Sequence, residues 1–248
     1  MKNLKLAAVC LSCLTMTGCS ALNFSVEGLI NAPKLTSEQS EIHQALIESV
    51  GSNITLKYPK NGEYRSAYVI ANIDDEPTDE AMVFYEYTSN GSEEDGLRVN
   101  ILDKDEKGKW YSVKELAGAG TDIDQVIISP MGSNNQTDVF VGYQNLTNDE
   151  KTMEIYSYTD GDFKRVALDT YSVLEPLDIN NDGYIELITI QRSTNNDTGA
   201  VTAKASMLNM KNNEITRGEN VDMCDNVTSY VSSKTGMLDS GRRAIFID

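Results

Sequence analysis

Residues 178–190 read Asp178-Ile179-Asn180-Asn181-Asp182-Gly183-Tyr184-Ile185-Glu186-Leu187-Ile188-Thr189-Ile190. The first half is turn chemistry, with Asp, Asn and Gly supplying local hydrogen bonds and a tight bend. The second half is a short, strongly apolar run, which reads as a strand. The same succession of turn and apolar strand occurs three more times: Asp79-Glu80-Ala81-Met82-Val83-Phe84-Tyr85, Thr137-Asp138-Val139-Phe140-Val141-Gly142-Tyr143 and Arg243-Ala244-Ile245-Phe246-Ile247. Measured from Glu80, Asp138, Glu186 and Arg243, the steps are 58, 48 and 57 residues.

Two further features recur in phase with that strand. A polar linker follows it, at residues 89–96, 144–152 and 192–199. A hairpin follows the linker: Leu97 to Leu102 turns at Glu106-Lys107-Gly108 into Trp110 to Leu116, Met153 to Tyr158 turns at Asp160-Gly161-Asp162 into Phe163 to Leu168, and Ala203 to Met210 turns at Lys211-Asn212-Asn213 into Glu214-Ile215-Thr216. With the strand before each apolar one, the unit has four strands. Alternation over Ile54-Leu56-Tyr58 and Tyr64-Ser66-Tyr68-Ile70 predicts the first strands.

Four-stranded units repeating at about 50 residues predict an all-β chain built as a β-propeller-like array. A β-sandwich, which also has many short strands, is the alternative. The units fall near residues 64–123, 124–170 and 171–225, and 226–248 holds half of a fourth. Since a ring needs about four or more blades, either Ile54 to Tyr58 completes the last blade or the array is truncated at its C-terminus; the abrupt ending favours truncation. One helix precedes the array over residues 36–51. Thr36 and Gln39 form a capping-box pair, Ile42, Ala45, Leu46 and Val50 share a face, and Gly51 stops it. His43, the single histidine, is expected to be solvated on that helix. With one histidine, neither a histidine-based triad nor a multi-histidine metal site can form within the chain.

The N-terminus sets location. Lys2 and Lys5 precede an apolar stretch from Leu6 to Met16, which suits a signal-peptide core and falls short of the ~20 residues needed to span a bilayer. It ends in Met16-Thr17-Gly18-Cys19, which resembles the lipobox of bacterial lipoproteins. That resemblance implies cleavage after residue 18, acylation (palmitate among the chains) of Cys19, and a tether over residues 19–35 leading to the helix and a β domain over 52–248. The expected localisation is the extracytoplasmic face of a cell membrane, held by lipid; two or more chains anchor stably where one does not. Removing residues 1–18 takes away two lysines and no acid, so the formal net charge of −17 becomes −19. Such a surface repels nucleic acid and anionic headgroups. Cys10 and Cys13 leave with the signal and Cys19 is lipidated, so Cys224 stands alone, with neither a disulfide framework nor a thiolate metal cluster.

One motif carries chemistry. Asp178, Asn180, Asp182 and Glu186 place side-chain oxygens at positions 1, 3, 5 and 9 of a short loop, Gly183 supplies the bend, and the Tyr184 carbonyl lies at position 7. Calcium takes six to eight oxygen ligands, and this spacing wraps a chain around one ion. An EF-hand would need glutamate at position 12, where Thr189 stands, and a flanking helix where a strand is predicted. A hairpin turn using Asp-Gly for its geometry alone is the other reading. The motif resembles the calcium loops of FG-GAP and VCBS propeller repeats. That resemblance implies a structural calcium at Asp178, Asn180, Asp182, Tyr184 and Glu186. A degenerate copy sits at Asn72, Asp74, Glu76 and Glu80, where Pro77 replaces the bending glycine. The third copy, from Gly132 to Asp138, has lost nearly all its charge and is expected to bind no ion. Together with Val26-Glu27-Gly28-Leu29, Pro33-Lys34-Leu35 and Lys57-Tyr58-Pro59, the chain also resembles a group of clostridial lipoproteins with VCBS-like repeats, a likeness that implies architecture and location but no activity.

Function divides two ways. A tethered acidic propeller is expected to serve as a binding or assembly module for a protein, peptide or glycan partner. The alternative is an extracytoplasmic enzyme acting on carbohydrate or cell-wall material. No nucleophile elbow or phosphate-binding glycine loop is present, and the 38 acids single out no glycosidase pair. Trp110, Tyr111 and Tyr143 are the aromatic candidates for lining a sugar site, with Trp110 better placed as core.

Overall fold

The computed structural model describes residues 35–88, 96–131, 136–145, 150–179, 182–211, 214–218, 221–222, 233–240 and 243–247. The chain divides into two compact units, Met1–Thr36 and Ser37–Asp248, and every element below belongs to the second.

Helix α1 (Ser37–Val50) is the one helix among the described residues. Glu38 sits in its first turn, at the positive end of the helix dipole. Gly51 ends it with φ +85°, donating its N–H to the Ile47 carbonyl at 3.0 Å; that left-handed conformation suits glycine. Ile42, Ala45 and Leu46 form the buried stripe.

The remainder is all-β, in antiparallel sheets that follow chain order. Sheet 1 comprises β1 (Ile54–Leu56), β2 (Tyr68–Ala71), β3 (Glu80–Tyr87), β4 (Leu97–Lys104) and β5 (Trp110–Ala117). Sheet 2 comprises β6 (Asp122–Ser129), β7 (Asp138–Gln144), β8 (Lys151–Thr159) and β9 (Asp162–Tyr171), in that spatial order. Sheet 3 comprises β10 (Val173–Leu177), β11 (Glu186–Thr194), β12 (Val201–Lys211), β13 (Glu214–Arg217) and β14 (Val221–Asp222). A two-stranded sheet 4 follows, β15 (Ser233–Met237) with β16 (Arg243–Ile247).

Sheets 1 and 3 reduce to the same four-position meander as sheet 2. In sheet 1, β2 pairs with Glu80–Val83 and β1 with Tyr85–Tyr87, both on the β3 edge that β4 leaves free, so β1 and β2 are two pieces of one strand. In sheet 3, β13 and β14 likewise share one edge of β12. Glu80, Asp138, Glu186 and Arg243 each begin the second strand of their sheet. The repeat legible in the sequence is therefore a repeat of antiparallel sheets, and none closes on itself among the described residues.

Packing explains why those second strands are apolar throughout. On β3, Met82 and Phe84 face sheet 2, where they meet Ile123, Val139, Val141 and Tyr156. Ala81, Val83 and Tyr85, on the opposite face, meet Ile42 and Leu46 of α1. On β7, Phe140 turns the other way, toward Leu187, Leu208 and Met210 of sheet 3. With both faces covered, period-two alternation disappears. It survives on the outer strand β5, whose exposed positions include Tyr111 and Val113. Burying Ile42 and Leu46 contributes about 2–3 kcal/mol each, so α1 closes the outer face of sheet 1.

Four expectations need correction. Ile54–Leu56 joins β3 rather than completing the last sheet. Residues 64–66 are not strand, because the segment before β2 leaves sheet 1 and is tied to β6 instead. The first unit ends at Ala117, so Ile123 belongs to sheet 2. His43 is not solvated: it is half-buried, and its Nδ1 lies 2.8 Å from the Tyr68 hydroxyl.

Candidate metal centre

The three repeated loops occupy equivalent places, each joining the first strand of a sheet to its second. One contact is common to all. The carboxylate that opens the second strand turns back and accepts the backbone N–H of the residue seven positions earlier. Glu80 Oε2 accepts from Ile73 at 2.8 Å, Asp138 Oδ2 from Met131 at 3.0 Å, and Glu186 Oε2 from Ile179 at 2.9 Å. All three acids are buried. A buried N–H must find a partner, and losing one costs about 1–3 kcal/mol. Each carboxylate is thus a staple that closes its own loop, and Asp138 also accepts from the Ser157 hydroxyl.

The loop at Asp178 is the most elaborate. Asp178 accepts the N–H of Asp182 on Oδ1 and that of Gly183 on Oδ2, both at 3.1 Å. Asp182 Oδ1 accepts the Tyr184 N–H at 2.9 Å. Gly183 has φ +91°, the bend that its position demands. Asn180 lies outside the described residues, as do residues 132–135 of the third copy, Cys19 and Cys224. Among the described residues no three carboxylate, cysteine or histidine groups are gathered to hold a metal ion. Asp178, Asp182 and Glu186 of this loop all accept backbone N–H groups of the loop itself.

In the degenerate copy the first position changes its chemistry. Asn72 donates through Nδ2 to the carbonyls of Glu76 and Thr78. Gly183 has an N–H for Asp178 to accept, whereas Pro77 at the equivalent position has none; an amide donor at 72 matches that loss. Asp74 Oδ1 accepts the Glu76 N–H at 2.7 Å. Burial, opposed by the bond from Ile73 and reinforced by Asp74 and Asp103, pushes the Glu80 carboxyl up to about 7. Its Oε1 is buried without a hydrogen-bond partner.

Loops of sheets 1 and 2 meet at an open cleft of about 590 Å³, lined by Asp74, Asp75, Glu76, Thr137, Tyr158 and Asp160 among others. Burial raises the Asp74 carboxyl, and Asp103 and Asp75 add to the rise. Burial chiefly, then Asp75, Asp74 and Glu76, raises the Tyr158 hydroxyl. Lys164 pairs with Asp160 at 3.1 Å.

Two buried carboxylates were not legible as special in the sequence. Asp124 is the extra residue of a β-bulge in β6, between the pairs Ile123–Tyr143 and Gln125–Gly142. Its oxygens accept from Asn61 Nδ2 at 2.7 Å, Lys151 Nζ at 2.8 Å and the Tyr171 hydroxyl at 2.7 Å. Glu154 accepts from Arg165 and from the Tyr156 hydroxyl. A bulge is the kind of device that re-aims one side chain, and Asp122-Ile123-Asp124 carries no signal of it. The aromatic candidates are separated: Trp110 packs under α1, Tyr143 is buried between sheets 1 and 2, and Tyr111 alone is exposed. Comparison with protein-family models, with curated proteins and with solved structures returned no match.

Proposed function

We propose that this chain is a lipoprotein anchored through Cys19 on the extracytoplasmic side of a membrane, and that its β domain is a propeller-like binding or assembly module. Supporting the architecture are three successive four-position meanders packed face to face, with equivalent stapled loops. The observation that carries the binding role is the cleft of Asp74, Asp75, Glu76, Asp160 and Tyr158. It is open, polar and acidic, and its acids are largely displayed on loops. Such a surface suits a cationic peptide or protein segment, with the Tyr158 ring available to a guanidinium or ammonium group. The alternative, an enzyme acting on carbohydrate or cell-wall material, draws support from one observation: the raised carboxyl of Asp74 in that cleft.

Calcium belongs to the same reading as a structural ion. Asp178, Asn180, Asp182 and Glu186, with the Tyr184 carbonyl, would hold it, and its contribution would be to tie the loop down.

The test is titration calorimetry of residues 20–248 with Lys- and Arg-rich peptides and with neutral cell-wall oligosaccharides, mass spectrometry following every incubation. Binding of cationic peptides, abolished in Asp74→Asn/Asp75→Asn/Glu76→Gln, supports the module. Cleaved oligosaccharide, lost in Asp74→Asn, overturns it in favour of the enzyme. The anchor is checked separately: metabolic labelling with an alkyne fatty acid should mark the wild type and not Cys19→Ala.

A further inference from the structure

Residues 58–66 make an excursion from the first strand of sheet 1. Lys57 donates its N–H to the Phe84 carbonyl at 2.8 Å, and Phe84 donates its own N–H to the Ala67 carbonyl at 3.0 Å. The chain therefore leaves sheet 1 opposite Phe84 and returns to it at the same residue. Between those points it is tied to β6. Lys60 donates its N–H to the Ile123 carbonyl at 3.1 Å, and Lys60 Nζ lies 2.9 Å from Asp122. Asn61 makes the central tie twice over, donating its N–H to the Asp124 carbonyl and its Nδ2 to Asp124 Oδ1, both at 2.7 Å.

The residue after Asn61 is glycine, and the fold requires it there. Gly62 has φ +80°, and a Cβ built on it would stand 3.3 Å from Gln125 Cβ. Backbone conformation and space both count against a side chain at 62. That glycine brings a reactivity with it. The γ-amide of an asparagine is within reach of the backbone nitrogen that follows it, and the main hindrance to ring closure is the next side chain. Glycine has none, whereas every other asparagine among the described residues precedes a residue with a side chain. Asn61 is exposed on a loop, and the Gly62 N–H has no hydrogen-bond partner among the described residues.

We propose that Asn61 is a self-modification site, converted to aspartate and isoaspartate by attack of Gly62 N, and that the product carboxylate breaks the tie to Asp124. Water is the one co-reactant. Gly62 N loses its proton to solvent and bonds to Asn61 Cγ. The Cγ–Nδ2 bond breaks, and Nδ2 takes up a proton and departs as ammonia. Water then opens the cyclic imide at one carbonyl or the other, leaving an aspartyl or an isoaspartyl residue.

The consequence is particular to this place in the fold. Asp124 is 1 % exposed, and its charge is met by Lys151 Nζ at 2.8 Å and by the Tyr171 hydroxyl at 2.7 Å. The Asn61 amide is its third side-chain donor. Deamidation puts a carboxylate where that donor stood, at contact distance from a buried group of the same charge, and like charges so placed disfavour each other's ionised form. Residues 58–66 lose their central tie, while Lys151 and Tyr171 go on holding Asp124 within sheet 2. This stands independently of the cleft and of calcium.

The test is peptide mapping by mass spectrometry of the full chain, incubated in heavy-oxygen water at mildly alkaline pH, both folded and in urea. In the folded protein Asn61 should take up one heavy oxygen, as a pair of aspartyl and isoaspartyl peptides, ahead of every other described asparagine. Asn90-Gly91 falls on a separate tryptic peptide and does not interfere. The bond from Nδ2 to Asp124 opposes ring closure, so the folded rate decides. If Asn61 stays an amide in the folded chain while the urea-unfolded chain converts it, the fold protects the site and the proposal is overturned. Ion exchange separates the converted fraction, whose urea midpoint should fall below those of the unconverted protein and of Asn61→Ala, which removes the donor without adding charge. A converted fraction as stable as Asn61→Ala refutes the repulsion. Equal midpoints for converted and unconverted wild type refute it without any variant.

Discussion

Substituting Gly142→Ala tests whether the interior of sheet 2 is built around the Asp124–Tyr171 hydrogen bond. Gly142 lies on β7 opposite the bulge that carries Asp124. A Cβ built at Gly142 would overlap the Tyr171 hydroxyl oxygen outright and come within 3.1 Å of Phe140 Cε1. Tyr171 is fully buried and its hydroxyl donates to Asp124 Oδ2 at 2.7 Å, so it has no free volume into which to withdraw. Overpacking of a core typically costs about 1–3 kcal/mol, and expelling the hydroxyl from a buried carboxylate costs about 1–3 kcal/mol more. Gly142→Ala should therefore destabilise by about 2–6 kcal/mol in total. Tyr171→Phe alone removes the hydroxyl and strands Asp124 Oδ2, at about 1–3 kcal/mol. The double variant should cost little beyond Tyr171→Phe, because the overlapping atom is gone, giving a coupling of at least ~1 kcal/mol. The assay is urea unfolding of all four proteins, followed by circular dichroism and by Trp110, the single tryptophan. Additivity to within about 0.5 kcal/mol would refute the reasoning and show that Gly142 is not there to admit Tyr171.

Glu80→Gln should flatten the pH dependence of stability. The native carboxyl sits at about 7 against an ordinary 4.5, so the folded state binds the proton more tightly. Its contribution is complete below pH 4.5 and lost as pH rises to about 7, on the order of 3 kcal/mol; glutamine keeps an acceptor for the Ile73 N–H, and urea titrations at pH 4.5, 6 and 8 would show the wild-type slope missing from the variant. Millimolar calcium after EDTA should raise the melting midpoint of residues 20–248, and Asp182→Ala should abolish the rise through linkage between binding and folding; an unchanged wild-type midpoint would leave the Asp178 loop a hydrogen-bonded turn.

Much of the architecture was open to reading because it is periodic. Glu80, Asp138, Glu186 and Arg243 could be aligned by hand, and each opens the second strand of its sheet. The helix was legible from the stripe of Ile42, Ala45 and Leu46 and from Gly51. The acidic loops were legible as loops, but spacing alone describes which oxygens are near each other along the chain and not which way they point. It did not disclose that the ninth-position acid is buried and stapled to the loop backbone. Nor did alternation over Tyr64-Ser66-Tyr68 disclose that the first strand breaks, because Ser66 and Tyr64 obey period two while belonging to the excursion.

By itself the sequence determined the class and the repeat, since local propensity and the period of apolar residues are properties of neighbours along the chain. It determined the acid excess as well. Tertiary structure alone decided that Asp124 and Glu154 are buried among partners, that Gly142 makes room for Tyr171, and that residues 58–66 cross from sheet 1 to the free edge of β6. Asp124 draws its partners from 27, 47 and 63 positions away, and Lys60 lies 62 positions from Asp122. Contacts at such separations arise only when loop-closure entropy has been overcome by the packing of whole sheets, and no local pattern records them.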